Sequence, residues 1–140
     1  MNQPIKHHYV PQFLLSQWCR DDGRLAVYCR KNNQLVTDWL SPKHTGFERN
    51  LYSISALPAN DQQWVERKIM SEHVDGPAAS VFQRLLNGEL SQLNSDERSA
   101  WVRFILAQWI RTPDAISSLR ENSEIALIAA LEKDPEEYTE

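Results

Sequence analysis

The residues able to do chemistry gather in three places. KHHYVPQFLL, Lys6 to Leu15, sets His7 and His8 side by side ahead of an apolar segment. Glu66 and Asp75 lie in a helical stretch further on, and Gln108 and Arg111 near the end of a later one. Imidazoles and carboxylates exchange protons near neutral pH or hold metals, while a guanidinium grips carboxylate or phosphate through paired N–H groups. Together these are the parts of a polar binding site or of a metal-assisted hydrolase.

Adjacent histidines in an extended segment point to opposite sides. One can face a pocket while the other packs, so one ligand plus one orienting residue suits the pair better than bidentate metal binding. Pro11 biases Val10 to an extended conformation and holds the pair in place. The alternative is architectural: the segment docks the N-terminus, and its imidazoles are satisfied by backbone or carboxylate. Phe104, Gln108 and Arg111 fall at i, i+4 and i+7, so an amide and a guanidinium share a stripe with an apolar neighbour. Buried unpaired they are costly, so they need partners, for Arg111 Glu66, Glu72 or Asp75. Arg111 is then either half of a structural ion pair or an anion holder.

Glu66, Met70 and His73 form another such stripe, with the outer two about 10 Å apart along the axis; it reads as a solvated helix face. His8 and Glu66 are the candidate ligands should a divalent metal bind. His7 or His8 with Cys19, Cys29 and His44 lacks the close Cys-x-x-Cys spacing of structural zinc sites. No Gly-rich phosphate loop, nucleophile elbow or dinucleotide fingerprint is present.

The elements that must position these residues are predicted as α+β, mainly α: a small N-terminal β-hairpin region packed on an antiparallel helical body. Residues 1–140 read as one domain, with the HHYVPQ segment, a short helix and the hairpin in 1–56, four helices in 57–133, and a frayed tail at 134–140. Arg24–Arg30 and Leu35–Trp39 alternate like strands around an Asn32-Asn33 turn, and a third short strand is expected at Leu51–Ile54. Gly76-Pro77 is expected to interrupt the first long helix. Asn94 and Glu97 form a capping box ahead of a helix carrying Trp101, Phe104, Ile105 and Trp109. Thr112-Pro113-Asp114 separates it from a last helix carrying Ile116, Leu119, Ile125 and Ile128.

With 41% hydrophobic residues and five tryptophans in 140 residues, the composition is that of a folded protein. No apolar run approaches the roughly 20 residues of a membrane span, and MNQPIKHH lacks a signal-peptide layout; a cytoplasmic protein with reduced thiols is expected. The net charge of −4 argues against tight non-specific nucleic-acid binding. Residues 1–50 nevertheless carry a net +3 and the remainder −7, which is compatible with an anionic ligand at one end.

KHHYVPQFLL, SPKHTGFERNLYSI and FILAQWIRTP together resemble the bacterial family known as domain of unknown function 4238, along most of the chain. The resemblance locates site residues without assigning roles. Family members usually continue further, with a Ser-Asp-x-Pro element in a β-rich second half, so the chain resembles the first half of that architecture. The family's two hydrophobic-plus-Glu steps correspond here to Val65-Glu66 and Val74-Asp75, the second shortened to Asp. Two functions follow as expectations. One is a binding or regulatory domain with a polar His/Glu/Gln/Arg junction, taking a protein or small anionic ligand rather than nucleic acid or membrane. The other is a metal-assisted hydrolase, phosphodiesterase- or nuclease-like, using the same His7, His8, Glu66, Asp75, Gln108 and Arg111.

Overall fold

The computed structural model describes residues 5–133, so the tail predicted as frayed lies outside the described residues. Four strands and four α-helices follow in order: β1 Lys6–His8, α1 Gln12–Leu15, β2 Leu25–Lys31, β3 Gln34–Leu40, β4 Phe47–Arg49, α2 Gly76–Leu86, α3 Ser95–Ile110 and α4 Pro113–Lys133. A π-helix, Val65–Asp75, runs directly into α2. The chain is mainly α with some β, as the sequence predicts, and its strands form two small antiparallel sheets where the sequence reading expects one hairpin region.

The hairpin β2–β3 forms where the alternation places it. Asn32 and Asn33 take φ of 49° and 62°, the left-handed pair that closes a two-residue turn, with Lys31 facing Gln34. The further strand is displaced from its predicted position. It is β4, four residues before Leu51–Ile54, and it pairs antiparallel with β1 so that His7 faces Glu48. Asn50 at φ 55° and the Ser53 N–H bond to the Asn50 carbonyl turn the chain just beyond it. Leu51 and Tyr52 then serve as buried core residues instead of strand residues.

Gly76-Pro77 does not break the helix. Gly76 stays helical, and its N–H bonds to the Ser71 carbonyl, five residues back. A proline ring collides with the carbonyl four residues before it and lacks the N–H that carbonyl would receive. For Pro77 that carbonyl belongs to His73, and it instead accepts a hydrogen bond from Arg103 Nη1 at 3.1 Å. Widening to π geometry on the N-terminal side accommodates the proline without ending the helix.

The core lies between the π-helix, α2 and α3: Met70, Val74, Ala78, Phe104 and Ala107 pack with Leu51 and Tyr52. Phe13 of α1 joins it through Phe104, with ring centroids 5.3 Å apart, and Phe82 and Trp101 extend the aromatic cluster. The capping box is present, with Asn94 Oδ1 accepting from the Glu97 N–H and Glu97 Oε2 from the Asn94 N–H, both at 2.9 Å. The face of α3 that packs is narrower than predicted. Ala100, Phe104 and Ala107 are buried, Trp101 is half-buried, and Ile105 and Trp109 are exposed. No residue of α4 is buried.

Candidate functional site

β1 settles the opposed roles of the two histidines. His7 is fully buried, its Nδ1 accepting the Tyr52 backbone N–H at 2.9 Å and its ring stacked on Tyr52 at 5.4 Å. Nδ1 as an acceptor puts the His7 proton on Nε2. His8 turns the other way and lines two adjoining clefts.

The larger cleft, about 520 Å³, is lined by Ile5, Lys6, Gln12, Lys43 and His44 with His8 and Glu66. The smaller, about 280 Å³, has Gln12, Ser71 and Asp75 with the same His8 and Glu66. Glu66 and His8, far apart in sequence, therefore line the same two clefts, one from the π-helix and the other from β1. That helix also gathers the carboxylates. Glu66 and Asp75 are nine residues apart, about two turns at the roughly 4.4 residues per turn of an i→i+5 helix. In an α-helix nine residues are two and a half turns and would face opposite sides. The predicted solvated stripe of Glu66, Met70 and His73 is corrected for the same reason: Met70 is buried, Glu66 half-buried, and His73 alone exposed.

Arg111 is 1% exposed at the end of α3. Its Nη1 and Nη2 donate to the two Asp75 carboxylate oxygens at 2.7 and 3.0 Å, and Nη2 also donates to the His8 carbonyl at 2.5 Å. The Tyr52 hydroxyl donates to the Arg111 carbonyl at 2.8 Å. Of the two readings of Arg111, the geometry is that of a structural ion pair. Its Nη1 and Nη2 are taken up by Asp75 and the His8 carbonyl, its Nε is buried without a partner, and the side chain lines neither cleft, so it is not presented to an anion there. Glu72, another candidate partner, instead holds Lys68 at 2.9 Å on the surface. Gln108 is half-buried and lines neither cleft; its Nε2 is buried without a partner, for which we have no physical account.

Two buried atoms stand out beside the clefts: His8 Nε2 and Glu66 Oε2 have no hydrogen-bond partner. Burial pushes the Glu66 carboxyl up to about 7, with Arg111 opposing and Asp75 adding to the rise. Burial lowers the His8 pKa, opposed by a hydrogen bond to the Pro42 carbonyl and reinforced by Lys6 and Arg111. A neutral imidazole has one ring N–H and one lone pair, so the unpartnered Nε2 is open to a ligand donor or acceptor according to the tautomer. A neutral imidazole and a carboxyl that titrates near neutrality thus share a cleft edged by Lys6, Lys43 and His44.

Gln12, Lys43 and His44 were not singled out for this cleft from sequence. The signal lay in SPKHTGFERN: a proline opening a 3₁₀ turn, Pro42–His44, that carries both basic residues to the site. Among the described residues, no group of three or more His, Cys, Asp or Glu side chains is placed to hold a metal ion, including the combination of histidines with Cys19 and Cys29.

A family model described as Protein of unknown function (DUF4238) matches residues 6–139. The chain belongs to this family. The match begins at the Lys6 of KHHYVPQ and extends past Arg111, so in this DUF4238 chain both histidines, Glu66 and the Asp75–Arg111 pair lie inside the family region. Comparison with curated proteins and with solved structures found no match. No helix among the described residues is long and apolar enough to cross a membrane.

Proposed function

We propose that the cleft shared by His8 and Glu66 binds a small anionic ligand that carries an exchangeable proton, and that the chain is a cytoplasmic binding or regulatory domain. The observation that carries this reading is the pair of buried, unpartnered atoms, His8 Nε2 and Glu66 Oε2, on one cleft edged by lysines. Buried polar atoms are normally satisfied, and those that are not call for a ligand, ion or water. Lys6 and Lys43 form no ion pair among the described residues, and Glu66 loses its charge below about pH 7, so the cleft is net positive there. His8 Nε2, in the tautomer that leaves it the lone pair, accepts the ligand's proton or O–H, protonated Glu66 donates to an oxyanion, and the lysines balance its charge. A phosphate monoester, which keeps one proton near pH 6, meets each requirement.

The test is a calorimetric titration with inorganic phosphate and phenyl phosphate at pH 6 and pH 8. Saturable binding is expected, stronger at pH 6, lost in His8→Ala and weakened about tenfold in Lys43→Ala, the loss of one charge-assisted contact. Equal heats in wild type and His8→Ala would rule the site out.

A second reading rests on the same two atoms. An imidazole nitrogen and a carboxylate oxygen are ligands for a divalent transition-metal ion whose remaining positions water and substrate oxygens would fill. Asp75 is taken up by Arg111, which limits the protein ligands to His8 and Glu66. Mn²⁺ or Zn²⁺ binding at micromolar levels, lost in both His8→Ala and Glu66→Gln, would favour metal-assisted hydrolysis over plain ligand binding.

A further inference from the structure

Helix α4 meets the rest of the molecule only near its beginning. Ile116 packs on the core, and Arg120 Nη2 donates to the Leu51 carbonyl at 2.7 Å. Beyond Arg120 every residue to Lys133 is exposed except the half-buried Ala130. That length includes Ile125 to Leu131, seven consecutive residues without a polar side chain. Seven residues are about two full helical turns, so the segment is apolar around its whole circumference. Helices of that kind belong in an interior, not in water.

The uncovered surface continues onto α3, where Val102, Leu106, Trp109 and Ile110 are all more than half exposed. Of nineteen exposed large hydrophobic residues among those described, ten lie on these two helices, so the exposure is concentrated there. Ten such half-exposed side chains present on the order of 800 Å², the area each partner contributes to a standard stable interface.

We propose that a second copy of this chain covers this surface, the two α4 helices lying antiparallel with their two-fold axis near Leu127. Charge selects the direction. Glu121 and Lys133 each stand six residues from Leu127, so the antiparallel arrangement sets Glu121 level along the axis with Lys133 of the second copy, within reach of two long side chains, twice over. A parallel arrangement would set each residue beside its own like charge, which is destabilising. The arrangement is isologous, as a two-fold dimer requires. Because one partner helix cannot enclose a helix that is apolar all round, each tip also rests against the exposed α3 face.

Size-exclusion chromatography with light scattering, from 1 to 100 μM chain, tests this. The expected mass is twice the 16.3 kDa of one chain. Ile128→Glu should give the single-chain mass with the circular dichroism of the helical body retained. Glu121→Lys alone and Lys133→Glu alone should each shift the dimer dissociation constant upward, by about three- to tenfold, and the two together should restore it. A wild-type chain that stays at 16.3 kDa at 100 μM overturns the proposal. So does a dimer that is indifferent to Ile128→Glu, or a double charge reversal that adds the two losses instead of cancelling them.

Discussion

Arg111 carries a structural burden that its place in the sequence only hints at. One side chain joins α3 to the π-helix through Asp75 and to β1 through the His8 carbonyl. Removing it leaves Asp75 part-buried without its counter-charge and the His8 carbonyl without its donor. Arg111→Ala should therefore destabilise the chain by about 3–5 kcal/mol in urea unfolding, the cost of breaking a buried pair on one side. Arg111→Lys should recover less than half of that, since a point ammonium cannot serve both carboxylate oxygens and a carbonyl at once. Glu66 makes the opposite kind of prediction. Burial raises its folded pKa to about 7 from the ordinary 4.5, so the folded state holds a proton that the unfolded state has released between those values. The resulting stabilisation is complete below pH 4.5 and disappears as pH rises through 7. Relative to wild type, Glu66→Gln should be flatter across pH 4.5–7 and more stable above pH 7. Paired urea titrations at pH 5 and pH 8 read the difference directly.

At the level of elements, patterns that depend on neighbouring residues were legible and those that depend on distant contacts were not. The β2–β3 hairpin follows from alternation and two asparagines, and the α3 start from Asn94 and Glu97, because both are settled within a few residues. β4 was misplaced because its partner, β1, lies some forty residues upstream, and Leu51 and Tyr52 look like strand residues although the core claims them. The site pair was half visible. His7 and His8 on opposite sides follow from an extended backbone, but the shared face of Glu66 and Asp75 does not follow from an α-helical wheel. It needs the π-helix, and Gly76-Pro77, expected to break the helix, instead stands where π geometry passes into α2. That geometry makes Gly76 a critical position. A Cβ there would lie 2.9 Å from the Ser71 carbonyl oxygen, a backbone atom. Alanine normally gains about 1 kcal/mol over glycine inside a helix. Gly76→Ala should instead cost about 1–3 kcal/mol, as overpacking does, and perturb the Glu66 environment; thermal melts with an NMR titration of Glu66 would reveal both. A stabilised Gly76→Ala chain would mean that the helix can return to α geometry without penalty.

Across the whole molecule, one short strand connects the fold to its candidate site, and its two histidines divide those tasks. The Asn50 N–H bonds to the Ile5 carbonyl, β1 pairs with β4, and His7 is sealed against Tyr52, so this edge is held along its length. His7→Ala removes a fully buried ring and strips the Tyr52 N–H of its acceptor. A cavity and an unsatisfied donor together should cost about 3–5 kcal/mol. His8→Ala removes a part-buried ring that contacts Phe47 and whose Nε2 has no partner to lose, so stability should fall by about 1 kcal/mol, well short of the His7→Ala cost. Ligand binding should separate in the reverse sense. His7→Ala, measured where it is still folded, should keep phosphate affinity within about threefold, because its ring never reaches the cleft; His8→Ala should lose binding altogether. Urea midpoints and calorimetric titrations on the same two variants give all four values. If both substitutions lower stability and affinity together, the strand acts as one rigid unit, and the division between docking and ligand contact has to be abandoned.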